Sequence, residues 1–495
     1  MISLEFYAAV GCLLPLAMAA SPDEWRSRSI YQVLTDRFWR PDNSTEAPCD
    51  VTDKTYCGGT WKGIEYQLDY ITSLGANAIW ISPVTKNVPN AYHGYSQTDL
   101  YALNDNFGTA QDLKDLARAL HDRDMYLMVD VVINHFGSAE AYPDIPWSSY
   151  FPFNSTDYFH PYCLETYTNT TSIEECWLSS YLPDVATERT DIQAAYADWI
   201  KWLIAEYDID GLRLDTVEQL DKGALEAFTS ASGVYVVGEA FDISTEQYAL
   251  QYTMSGGGLM NYPLYTVANN TFVNIGEETM GALATAIAAN RNDSIDSNLH
   301  CVFFENQDMP RIASTNTDTS IAQNTLAFTI LGDGIPIIYY GQERNLPGGD
   351  DPYNRAATWL RQNGALSTVQ LSDFVSRLNQ IRSWAIKKSS GYTTYGTYTL
   401  NYSENQIAIR KDVLRTILTN AGVGQATDTY TTDGAEFSHG DTVVDLISCK
   451  KYTANNEGEV TVGVGGGAVV VLMEQSLAAG SGICDTEVDI QIHLA

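Results

Sequence analysis

The chain runs to 495 residues, 45% of them hydrophobic and 18% charged, which excludes a disordered polypeptide and predicts two or three domains. Its 62 acidic residues against 28 basic ones leave a net charge of −34, which disfavours nucleic acid and anionic membrane surfaces as partners. The 31 tyrosines and 10 tryptophans supply flat, rigid faces of the kind sugar rings stack on.

Residues 1–20 read as a signal peptide. Phe6 to Ala20 are apolar or small, and Ala17-Met18-Ala19 gives a small-x-small cleavage pattern, although Glu5 stands where a basic residue is usual. The run is too short to cross a bilayer and no second apolar stretch of comparable length follows, so a secreted protein is expected. Cysteine usage agrees with export. With Cys12 in the signal, Cys49 and Cys57 can close one short loop, Cys163 and Cys176 another, and Cys449 and Cys484 can staple the C-terminal region. Cys301, inside an apolar strand pattern, is expected to be a buried, inert thiol. Sequons at Asn43, Asn154, Asn169, Asn269, Asn292 and Asn401 fit a secreted glycoprotein.

From residue 29 to about 345, short apolar runs alternate with amphipathic helical patterns, the signature of βαβ units. Strand candidates are SIYQVLTDRF, ANAIWISPV, YLMVDVVIN, IDGLRLD, VYVVGEAF, GLMNYPLY, HCVFFEN and IPIIYYGQE. Eight strands with intervening helices predict an α/β fold, a (β/α)8 TIM barrel spanning 21–389. Helices are expected over Thr109–Arg123, opened by a Thr109/Asp112 capping pair, and over Asp191–Tyr207, with Ile192, Tyr196, Trp199, Ile200 and Leu203 inward. Between the third strand and the second of these helices lies a segment rich in Tyr, Pro, Ser, Thr and Asn. It reads as an irregular subdomain, 136–190, inserted over the barrel mouth. Alternating patterns between Gly- and Asn-containing turns over 390–495 predict a C-terminal antiparallel β-sandwich.

Several strands stop in carboxylates or amides: DVVINH (130–135), GLRLDTVEQ (211–219), VVGEAF (236–241) and FFENQD (303–308). Such groups at buried strand ends are costly unless they face a polar cleft, and the C-terminal mouth of a barrel is where such folds do chemistry. An acid capping the following helix would explain one of them, but hardly the whole series. Arg213 and Asp215, two apart on a strand, project to one side, so Arg213 is expected to hold Asp215 ionised as a nucleophile. Glu239 on an apolar strand rim should have a raised pKa suited to a general acid, with Gly238 leaving room for a ligand. With Asp308 as a third acid, the set suggests glycosidic cleavage.

At this point the chain resembles the α-amylase family of glycoside hydrolases, in particular secreted fungal α-amylases and their cell-wall-associated, glucanotransferase-like homologues. The resemblance spans about Trp25 to Cys484. It rests on those strand ends, on AYHGYSQTDLYALNDNFGT (91–109), on GDGIPIIYYGQE (332–343) and on GGDDPYNRAATW (348–359). It implies Asp215 as nucleophile, Glu239 as acid/base and Asp308 as transition-state stabiliser. It implies further that Tyr95 stacks on the sugar at the cleavage site, that His93 and His135 bond that sugar, and that Asp351 and Arg355 contact the next one. A structural Ca²⁺ is implied at Asn134, Asp184, Glu174 (whose carbonyl can serve) and the main-chain carbonyl of Gln219.

Departures from the family pattern cluster at the cleft. Gln307 stands where a His usually precedes the stabilising Asp, Glu218 and Gln219 replace a Lys-His pair, and Ser96 replaces a Trp. A family disulfide is also missing, since no cysteine lies between Cys176 and Cys301. The expectation is a monomeric, retaining, endo-acting α-1,4-glucan hydrolase. Competing readings are a 4-α-glucanotransferase on maltooligosaccharides, a non-catalytic α-glucan-binding protein, and a structural secreted glycoprotein.

Overall fold

A computed structural model of the chain describes residues 20–241, 251–293, 296–360, 370–424, 429–434 and 437–484. The signal sequence with Cys12, apart from Ala20, and the last eleven residues lie outside the described residues.

Eight short, buried strands form the central sheet: β1 Ile30–Val33, β2 Ala78–Ile81, β3 Tyr126–Val131, β4 Gly211–Leu214, β5 Tyr235–Gly238, β6 Gly258–Leu259, β7 Cys301–Val302 and β8 Ile335–Tyr339. Their order is β6-β5-β4-β3-β2-β1-β8-β7, every pairing parallel, and a parallel bridge between Met260 and Cys301 joins the ends. The barrel is therefore closed, as the sequence pattern predicts. Its strands are dominated by Ile, Val, Leu and aromatic residues because both faces are covered.

Helix Ala110–His121 opens with the expected reciprocal capping box between Thr109 and Asp112. Helix Thr190–Tyr207 buries Ile192, Tyr196, Trp199, Ile200 and Leu203. Two strand predictions shrink. GLMNYPLY contributes only β6, because Asn261 caps, and Pro263 starts, a helix over Tyr262–Phe272. HCVFFEN contributes only β7; the chain then leaves the sheet at Phe303.

The stretch between β3 and helix Thr190–Tyr207 folds around its own aromatic core. Phe136 packs on Tyr150, Phe153 and Phe159, and Trp147 packs on Phe159 and Trp177. The Cys163–Cys176 disulfide closes its outer loop, and Cys49–Cys57 and Cys449–Cys484 are also bonded. After helix Ser372–Lys388, strands Tyr398–Tyr402, Gln406–Lys411, Leu414–Thr419, Val470–Glu474, Thr442–Asp445 and Lys451–Thr453 form one antiparallel sheet. The ribbon Thr429–Thr432/Val460–Gly463 covers one face of it, burying Ala408, Ile417, Tyr430, Val462 and Leu472 together. The C-terminal part is thus a lopsided sandwich.

Candidate active site

The C-terminal ends of β3, β4 and β5 deliver Asp130, Arg213, Asp215 and Glu239 to one buried cluster. Parallel pairing fixes their levels: Asp130 lies beside Arg213, and the chain carries Asp215 and Glu239 just past the last strand residues. The Arg213 guanidinium meets three carboxylates. Nη1 donates to Asp130 Oδ1 at 3.0 Å and to Asp215 Oδ1 at 2.5 Å, while Nη2 lies 2.6 Å from Glu239 Oε1. Asp215 and Glu239 are thus clamped side by side on one guanidinium.

One guanidinium cannot offset the desolvation of three acids. Burial raises Asp215 overall, while the charge and hydrogen bond of Arg213 pull against it toward the ionised form. Burial, then the Asp215 charge, lifts Glu239 to about 7 against the pull of Arg213. Burial likewise lifts Asp130 to about 6. Thr216, between the two carboxylates in the chain, is held at φ 50°, ψ 48°, and its N–H donates to Glu239 Oε2 at 3.2 Å. A β-branched residue in the left-handed region carries strain that the surrounding packing must hold. Gly238 serves packing rather than a ligand, because a Cβ there would meet Val217 at 2.9 Å and Met254 at 3.0 Å.

Asp308 faces this cluster from the loop after β7. Its N–H bonds Asn306 Oδ1 at 2.8 Å, and its carboxylate takes Arg355 Nη2 at 3.1 Å. Burial and then the Glu239 charge raise its pKa. Arg355 also holds Asp351 at 3.1 Å through Nη1 and the Gln307 carbonyl at 3.0 Å through Nε, so it ties the third acid to the far cleft wall.

Tyr95 donates its hydroxyl to Asp130 Oδ2 at 2.6 Å and accepts from Gln307 Nε2. The ring of His93 stacks on that of Tyr95 at 5.8 Å. The Tyr95 N–H donates to His93 Nδ1 at 3.1 Å, so the remaining proton of the neutral imidazole sits on Nε2. Burial lowers His93 to about 4, so its contribution is a hydrogen bond and not a charge. His135 differs from the expectation. It is buried behind Tyr95, with Nε2 on the Tyr95 carbonyl at 3.1 Å and Nδ1 3.4 Å from Asn134 Nδ2, so both ring nitrogens are engaged within the protein.

Two lobes make up the cleft. The larger, about 670 Å³, holds Asp215, Glu239 and Asp308 together with Tyr167, Leu178, Glu218 and Phe241. The smaller, about 260 Å³, holds His93, Tyr95, Asp351, Arg355 and Lys54. Tyr95 lines both. Sequence reasoning left out Asp130, Trp80, Lys54, Tyr167 and Phe241. Asp130 stood in a motif already singled out; Trp80, which donates to Asp130 Oδ2 at 3.1 Å, looked like ordinary strand core. Lys54 and Tyr167 sit on disulfide-closed loops, where nothing in the local pattern shows what they face.

Unpaired acceptor atoms lie where the chain after β3 pairs with the end of the insertion. Asn134 Oδ1 and Asp184 Oδ1 are buried and have no partner. The main chain holds them together, with Val185 N donating to the Asn134 carbonyl at 2.8 Å. Such oxygen-only orphans fit a hard cation such as Ca²⁺. Among the described residues no three His, Cys, Asp or Glu side chains converge as a metal site. A cation here would therefore draw on amide and carbonyl oxygens as well. Gln219 is buried at the lobe wall, whereas the Glu174 carboxylate lies among Asp221, Lys222 and Glu175, which leaves its carbonyl for such a role.

A closed barrel carrying opposed carboxylates on strand ends defines the class, a glycoside hydrolase of the (β/α)8 type. Comparison with known proteins makes this specific. The alpha amylase catalytic-domain model matches residues 32–227 and 224–416, and the alpha-amylase domain C model matches 399–490. The chain is 42% identical over 482 residues to Alpha-amylase 1 of Schwanniomyces occidentalis, covering 94% of this chain and 93% of that protein. It is 47% identical over 392 residues to Alpha-amylase 1 of Lipomyces kononenkoae, covering 77% of this chain and 62% of that protein. The solved structure of an alpha-amylase from Malbranchea cinnamomea superposes with a TM-score of 0.90 at 42% identity, covering 94% of this chain and all of that one. The chain belongs to the alpha-amylase family of glycoside hydrolases.

Proposed function

We propose that the protein is a retaining, endo-acting α-1,4-glucan hydrolase that works through a covalent glycosyl-enzyme intermediate on Asp215. The clamping of both carboxylates by one guanidinium, Asp215 2.5 Å from Arg213 Nη1 and Glu239 2.6 Å from Nη2, carries this reading, since it draws them together whereas an inverting pair needs its carboxyls about 6.5–9.5 Å apart to admit water. Glu239, raised to about 7, protonates the leaving oxygen and later deprotonates the incoming hydroxyl. Asp308 stabilises the oxocarbenium-like transition state. Tyr95 stacks on the sugar being cleaved and His93 Nε2 donates to it, while Asp351 and Arg355 hold the next sugar in the smaller lobe. His135 acts by fixing Tyr95, and Gln307 by orienting its hydroxyl.

A structural Ca²⁺ at Asn134, Asp184 and the Gln219 and Glu174 carbonyls is part of this reading. Such an ion would neutralise buried acceptors and tie the insertion to the barrel. Secretion with removal of residues 1–20 fits the disulfides. The exposed Asn43, Asn154, Asn169 and Asn292 are open to glycosylation. At Asn401 the amide nitrogen instead donates to the Thr431 carbonyl at 3.0 Å.

Glucanotransfer from the same intermediate is a second reading, favoured by the acceptor end of the larger lobe. Tyr167, 66% exposed, and Phe241, 47% exposed, offer aromatic faces there to an incoming sugar. The deciding experiment incubates the enzyme with a single maltooligosaccharide and sizes the products while NMR follows the new anomer. Shorter chains released in the α configuration are expected. Chains longer than the substrate would indicate transfer, and β products would overturn retention. Asp215→Asn and Glu239→Gln are expected to cut turnover at least a thousandfold while the fold persists; near-normal activity in either would defeat the assignment.

A further inference from the structure

We infer that Glu165 is a positioning residue that holds Gln219 and Tyr167 together as one wall for the sugar on the leaving side of the scissile bond. The inference rests on the reading above, in which Glu239 protonates the leaving oxygen and the smaller lobe takes the other side of the glucan.

The disulfide-closed loop fixes Glu165 through its backbone. Trp177 N donates to the Cys163 carbonyl at 2.8 Å, and Glu165 N donates to the Trp177 carbonyl at 3.0 Å, so both strands of the loop are bonded beside Cys163–Cys176. Thr166 N donates to Ser172 Oγ at 2.9 Å. From this anchored position Glu165 Oε1 accepts from Gln219 Nε2 at 3.3 Å. The Tyr167 hydroxyl is the second partner of the carboxylate. Gln219 and Tyr167 line the larger lobe with Glu239, and Glu165 is not part of that lining. It therefore reaches a bound sugar through its two partners.

Both partners need holding. A glutamine side chain turns about three bonds, and Tyr167 is 66% exposed at φ 54°, in the left-handed backbone region. A carboxylate only accepts, so it takes the Gln219 amide and the Tyr167 hydroxyl together. Burial disfavours its charge, and those two hydrogen bonds oppose that effect. With its N–H turned to Glu165, Gln219 offers its amide oxygen to a sugar hydroxyl, and Tyr167 offers its ring face. Groups ordered beforehand lose less freedom when the sugar arrives.

The test compares two substrates in Glu165→Ala. α-Maltotriosyl fluoride expels fluoride and leaves this wall empty, whereas maltohexaose sets leaving sugars against it. Fluoride release is expected to stay within about twofold of wild type, while kcat/KM for maltohexaose falls about tenfold, mainly through KM. Glu165→Gln keeps one accepting oxygen, so it is expected to show a smaller loss of the same selectivity, and it serves if the alanine variant fails to fold. In a Tyr167→Phe background the loss from Glu165→Ala is expected to shrink, because the hydroxyl that it holds is already gone. Equal losses on both substrates would assign Glu165 to the folding of its loop and overturn the inference. Wild-type values on both, or losses that simply add in the double variant, would overturn it as well. In each of these cases wild-type fluoride release keeps the cleavage reading standing. A wild type that releases no fluoride would overturn that reading and the inference with it.

Discussion

Glu239 shows how a catalytic carboxyl is tuned at the expense of stability. Its environment lifts it from 4.5 to about 7, so the folded protein binds a proton there that the unfolded chain releases near 4.5. Stability from this group is therefore full below about 4.5 and is lost as pH rises toward 7 and beyond. Gln, which mimics the protonated form, should remove that loss. Glu239→Gln is expected to be more stable than wild type by about 2 kcal/mol at pH 7 and indistinguishable near pH 4, by denaturant titration at each pH. A difference independent of pH would refute the shifted carboxyl. For activity, the same shift places the basic limb of kcat/KM near pH 7, where the acid loses its proton. Gln307 is the other informative residue. It can donate to Tyr95 but carries no charge, so Gln307→His is expected to raise hydrolytic kcat about fivefold or more, the worth of one stronger donor to the transition state. An unchanged kcat would show that the amide already does that work.

At the level of elements, the chemistry hangs on loops whose positions the strands dictate. The Cys163–Cys176 loop carries Tyr167 into the larger lobe of the cleft and contacts the turn Val217–Gln219 through helix Thr170–Glu175. Replacing both cysteines by serine is expected to cost about 2–3 kcal/mol of stability and to lower the ratio of transfer to hydrolysis severalfold, as read by product sizing. Much of this level was legible in the residues. Long apolar runs ending in acids marked β3, β4 and β5, and capping chemistry marked Thr109. The failures share a cause. Where the sheet uses only two residues, as in β6 and β7, the apolar run continues into a helix or a loop, and hydrophobicity alone does not mark the exit. Gly238 looked like room for a ligand because sequence cannot show that Val217 and Met254 fill the space. His135 sits in a motif full of cleft residues, yet only coordinates reveal that its partners are Tyr95 and Asn134.

Across the whole molecule, barrel and C-terminal sheet meet through a buried cation. Lys411 reaches Asn298 Oδ1 at 2.7 Å, Asp333 Oδ1 at 2.9 Å and the Tyr395 carbonyl at 2.9 Å, linking the first half of the sheet to the floor of the barrel. The closure of the barrel is slighter. Between β6 and β7 it rests on the Met260–Cys301 bridge and on the Leu259 N–H bond to His300 Nδ1 at 2.9 Å, flanked by strands of two residues each. A ring is as durable as its thinnest link, and this one has a chemical clock built into it. Cys301 is a free thiol, sealed from solvent and pushed up to about 12, hence inert while the ring stays shut. In protein lacking the first 20 residues, alkylation of Cys301 in native buffer should follow the breathing of that seam. It is expected to speed up well before global unfolding in mild denaturant, as mass spectrometry would record; labelling that tracks only global melting would mean that the seam opens last.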